Sequence, residues 1–78
     1  MQENLLNTIV IQLFKEVYSR QAKIENIMNT YDVFQDILAS FYILGYVDME
    51  KLNALSKVNI QLRNSYIERL NKNEIEGR

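Results

Sequence analysis

The stretch FYILGYVDMEKL, running from Phe41 to Leu52, holds both the end of one helix and the start of the next. Gly45 is a natural helix stop, because glycine takes the left-handed conformation without steric penalty. With Leu44 as the last half-helical residue, Tyr46 falls where it can pack back on Phe41. Asp48 then supplies a side-chain cap for a new helix. Val47 precedes that cap, and Leu52 is its apolar partner in the first turn. A stop and a start this close make a tight corner, so the two helices must pack as neighbours.

Beyond the corner, a third helix is expected over about residues 49–73. Its apolar stripe is Leu52, Leu55, Val58 or Asn59, Leu62, Tyr66 and Leu70. Asn59 sits close to the seam. It either lies buried there, fixing register or oligomeric state at some cost in stability, or lies just off the seam in water. Before the corner, the pattern predicts a second helix over about residues 30–44. Asn29 would be its cap, Asp32 would suit the dipole of its first turn, and Met28 and Val33 would pair across the cap.

The first helix is expected over about residues 3–28. Leu6, Val10, Leu13, Val17, Ile24 and Ile27 step by fours and threes, with the missing step at Arg20. Leu5, Ile9 and Phe14 widen that stripe. Tyr31, Phe34, Leu38 and Phe41 continue the stepping in register, so one long helix in place of the first two is the other option. The expected fold is all-α: a small three-helix protein with a long first helix, a short second helix, the corner at Gly45 and a third helix.

Residues 1–74 read as one helical domain. The last four residues, IEGR (75–78), resemble the recognition tetrapeptide of the protease factor Xa and read as the remnant of an engineered cleavage site. A chain of 78 residues buries only about 60% of the surface that its unfolded form exposes. Chains of this size usually add disulfides, a metal or a partner. With no Cys and no His, disulfides are out and zinc, haem and iron–sulfur sites are not expected. A partner chain is the remedy left.

The second helix points the same way. Ile37, Leu38, Phe41, Tyr42, Ile43 and Leu44 run round it, and a helix apolar on all sides is one buried by several neighbours. A dimer or partner interface is therefore expected at Ile37, Phe41, Tyr42, Ile43 and Leu44, most simply a twofold helical-bundle homodimer. The longest uncharged runs, residues 4–14 and 37–47, have 11 residues each, against about 20 for a membrane span. No secretory segment is apparent, and a cytoplasmic location is expected.

Catalysis has little to work with. No glycine-rich phosphate loop occurs. Asp32 and Asp36 share a helix face, but such a pair is usually a solvated one. No enzyme activity, cofactor or small-molecule substrate is expected. Charge is the sharper signal. Residues 24–50 carry net −5 and residues 51–73 carry net +4, within a total of −1. One reading pairs the basic third helix with the acidic second, within or between chains. The other brings the basic helix to nucleic acid, with Asn53, Lys57, Gln61, Arg63 and Asn64 as candidate contacts. Against that stand an acidic pI near 5.3 and the lack of a helix-turn-helix pattern. Tyr18, Tyr31, Tyr42, Tyr46 and Tyr66 read as core or interface residues before they read as a platform for bases. The functional expectation is a small non-enzymatic regulator or adaptor that self-associates and binds another intracellular protein. The alternative is a dimeric nucleic-acid-binding regulator.

Overall fold

The computed structural model describes residues 3–76, with side chains over residues 5–72. Three helices follow one another: α1 (Glu3–Ser19), α2 (Ile24–Ile43) and α3 (Met49–Glu76). The described residues contain no strand. Among the described residues, no helix is long and apolar enough to cross a membrane.

The first boundary differs from expectation. α1 stops at Ser19 instead of near residue 28, and α2 starts at Ile24 instead of near Thr30. The first helix is thus the shortest of the three, and the second is not short. The missing apolar step at Arg20 marked the true break. There the chain turns through residues 20–23, with Arg20 N–H donating to Val17 O and Gln21 N–H to Tyr18 O. The Gln21 side chain also donates to Val17 O at 2.8 Å, so this carbonyl at the helix end accepts from both Arg20 N–H and Gln21 Nε2. Asn29 and Thr30 lie inside α2, so Asn29 caps nothing and Met28 and Val33 are both exposed. Thr30 is accommodated there because its hydroxyl donates to Asn26 O one turn back. Burial of Ile27, Phe34 and Leu38 along one stripe outweighs the capping preference of Asn29.

The second boundary follows the hydrogen-bond pattern of a glycine-terminated helix. Gly45 has φ +81°. Tyr46 N–H donates to Phe41 O and Gly45 N–H to Tyr42 O, the two bonds that satisfy carbonyls at such an end. The rings of Phe41 and Tyr46 meet edge to face at 6.1 Å. Asp48 caps α3 by accepting from Lys51 N–H at 2.8 Å. Val47 is buried, and Leu52 packs against the same core. α3 continues to Glu76, so the backbone of Ile75 and Glu76 is helical; Gly77 and Arg78 lie outside the described residues.

Short connections make α2 antiparallel to both neighbours. The core gathers Val10, Phe14 and Tyr18 from α1, Ile27, Phe34 and Leu38 from α2, and Leu55 from α3. Phe14 stacks on Phe34 at 3.8 Å between centroids, and Tyr18 meets Phe34 edge-on and Tyr66 face-on. Asn59 is 0% exposed, so the buried alternative holds for it. It accepts from the Tyr18 hydroxyl at 2.5 Å and donates to Gln35 Oε1 and Tyr31 O. Gln35 in turn donates to Ser56 Oγ at 3.5 Å. Residues from all three helices therefore converge on one amide. Every lone pair and proton matters in such a place, because unpaired polar atoms are costly away from water. Packing is closest between α2 and α3 and slightest between α1 and α2.

Candidate interaction surface

The end of the bundle where α2 passes into α3 is apolar and open. Ile43 is 79% exposed, Leu44 64%, Tyr46 63% and Met49 49%, with Tyr42 beside them at 41%. Val47 and Phe41 take the inward positions at the turn, which leaves the residues around them outside the core. Of the five residues expected at an interface, Ile37, Tyr42, Ile43 and Leu44 are exposed. Phe41 instead packs against the core.

A second set of apolar side chains was placed in the core by its periodicity but faces outward. Leu5, Ile9 and Leu13 recur every fourth residue on α1 and are 52%, 41% and 57% exposed. Their spacing equals that of the core stripe, so only the neighbours of α1 could separate them from it. Val33 on α2 is likewise exposed, and Tyr46 and Met49, neither among the five expected interface residues, join the open end.

The candidate nucleic-acid contacts divide. Asn53, Lys57, Gln61 and Asn64 are exposed and fall on one side of α3. Arg63 leaves that side: its guanidinium lies over the Tyr31 ring of α2 at 4.5 Å, and its Nε donates to Asn64 Oδ1. Arg69 is similarly held over Tyr66 at 4.8 Å. Arg63 thus joins the basic and acidic helices through an aromatic ring, an attraction of the cation for the ring face. Of the five tyrosines, Tyr18 is fully buried, Tyr31 and Tyr66 are partly buried, and Tyr42 and Tyr46 are exposed. Burial pushes the Tyr18 hydroxyl well above the usual tyrosine pKa; Arg63 opposes this, and Tyr31 and Asp32 add to it.

Among the described residues, Asp32 and Asp36 are both exposed on α2. No group of three or more metal-ligating side chains comes together there. A shallow polar recess lined by Asp48, Glu50, Lys51 and Ala54 sits at the start of α3. Compared with family models, curated proteins and solved structures, the chain matches none.

Proposed function

We propose that this protein is a small non-enzymatic regulator or adaptor of the cytoplasm, which self-associates and acts by binding another protein. The observation that carries this reading is the apolar bundle end. Ile43, Leu44 and Tyr46 stand out at the corner around Gly45, more exposed than any other large apolar side chain of the described residues. A cluster of exposed apolar side chains of this kind is often a contact site. Tyr46 adds a hydroxyl to an apolar body, which suits it to a contact edge. The test is a photo-reactive amino acid placed at Ile43 in the living host, with the trapped protein identified by mass. Trapping of one dominant protein, lost in a Tyr46→Asp variant that still folds, supports the reading. Diffuse labelling unchanged by Tyr46→Asp refutes it.

The nucleic-acid reading has less support. Lys57 is the only cation within the stripe Asn53, Lys57, Gln61 and Asn64, and Glu50 and Glu68 border it. A mobility-shift titration at two salt concentrations tests that alternative, since phosphate contacts weaken steeply with salt.

A further inference from the structure

We infer that the open face between α1 and α2 is the seat of a second copy of this chain, so that two α1–α2 hairpins close into a four-helix core. The inference rests on the self-association proposed above and adds the face that carries it.

The printed contacts orient each helix. On α1, Tyr18 reaches Asn59 and Tyr66 of α3, while Phe14 stacks on Phe34 of α2. At about 100° per residue, continuing round α1 past Phe14 and away from α3 brings Leu13, then Ile9, then Leu5. On α2, Tyr31 and Gln35 face Asn59 of α3, and Phe34 faces α1. Continuing past Phe34 in the direction away from α3 brings Ile37, then Leu44 and Val33. Both series therefore border the α1–α2 groove on the side that α3 does not cover. The antiparallel register set by Phe14 and Phe34 puts Leu13 level with Val33 and Ile37, and Leu5 level with the Leu44 end. The six side chains form one surface along the bundle.

Area and charge both select a second copy as the occupant. The six residues are between 37% and 64% exposed. Given ~160–185 Å² for a fully exposed Val, Leu or Ile, they present roughly 500 Å² of apolar surface, near the apolar share of the ~800 Å² that each partner buries in a standard interface. The face is also uncharged. Residues 5–13 contain no charged side chain, and in residues 33–44 Asp36 is the single one, about 100° round the helix from Ile37 and about 60° from Val33, at the border of the face. A twofold axis through this face brings no like charges together. The outer side of α2, with Glu25, Asp32 and Asp36, would repel its own copy. Hairpins that meet through such stripes pack as helix bundles do.

Sedimentation equilibrium on the full chain tests the inference, with helical content measured alongside. The wild type should run as a dimer at tens of micromolar. Leu13→Glu and Val33→Glu, both at exposed positions, should each weaken association by about 30-fold or more and give a helical monomer. Ile43→Asp, at the bundle end, should leave the dimer intact. If Leu13→Glu and Val33→Glu stay dimeric while Ile43→Asp dissociates, the face assigned here is wrong although self-association stands. A wild type that is monomeric at several hundred micromolar overturns self-association itself. Should either glutamate variant lose its helix signal, Leu13→Ser and Val33→Ser replace them and are read by the same two outcomes.

Discussion

Removing the Tyr18 hydroxyl probes the most constrained point of the fold. Tyr18 and Asn59 are both 0% exposed and are joined by one hydrogen bond across 41 residues of chain. Tyr18→Phe deletes only the hydroxyl and leaves Asn59 Oδ1 without its donor, in a place water does not reach. An orphaned buried acceptor costs about 1–3 kcal/mol. Asn59→Leu keeps the branched shape but orphans the Tyr18 hydroxyl and strips Gln35 Oε1 of its donor, for a similar loss of about 1–3 kcal/mol. In the double variant neither half of the main pair remains to be orphaned. The combined loss should therefore fall short of the sum by about 1–2 kcal/mol. Urea denaturation followed by circular dichroism reads this directly. With a slope near 1 kcal/mol per molar for a chain this small, each single change should lower the midpoint by about 1 M or more. Protein concentration is held fixed across the four proteins, because association would add its own stabilisation. Strict additivity, or a loss under about 0.5 kcal/mol for Tyr18→Phe, would mean that water reaches the pair and that it does not hold the three helices in register.

Three further outcomes follow from the same geometry. Gly45→Val should destabilise by about 1–2 kcal/mol, because φ is +81° although a Cβ there would meet nothing within 4 Å; Gly45→Asn should lose markedly less, and equal melting of both variants would refute the left-handed assignment. Lys23 has the extended backbone of a helix cap, φ −128° and ψ 142°, but makes no side-chain cap bond, so Lys23→Asp should raise the melting temperature by a gain of about 0.5–1 kcal/mol; an unchanged or lowered melting point would contradict this. The raised pKa of Tyr18 means that the folded chain keeps a proton that the unfolded chain releases near pH 10. Stability from this source is full below that pH and declines above it by about 1.4 kcal/mol per pH unit, and Tyr18→Phe should flatten the decline by one proton; identical slopes for the two proteins would refute the assignment.

Much of this architecture is written locally. The Gly45 stop, the Asp48 cap and the placement of Tyr46 on Phe41 depend on residues within a few positions of one another, and all appear as the pattern suggests. The first boundary was misplaced because two signals competed. Asn29 and Thr30 look like a helix start, whereas residues 20–23 contain neither glycine nor proline and announce themselves only by a gap in the apolar stripe. The faces of α1 were beyond local reading. Leu13 and Val10 are both bulky apolar residues of one stripe, and only the direction of α2 and α3 decides that Val10 is buried and Leu13 is not. Arg63 is a similar case: its type suits phosphate, but Tyr31 on the neighbouring helix holds it.

The connections of four residues at 20–23 and five at 44–48 also set the order of events as the chain folds. Loops this short close in about 10–100 ns, far faster than chains diffuse together at cellular concentrations. The α2–α3 hairpin packs most closely and can form first, and α1, which rests more on α3 than on α2, docks onto it. The Tyr18–Asn59 bond, which spans 41 residues, completes only when α1 has docked. Helical chains dominated by such near-neighbour pairings fold in microseconds to milliseconds. Where such a chain is stable alone, assembly proceeds by docking of folded units, at a rate that rises with concentration and does not depend on prior unfolding.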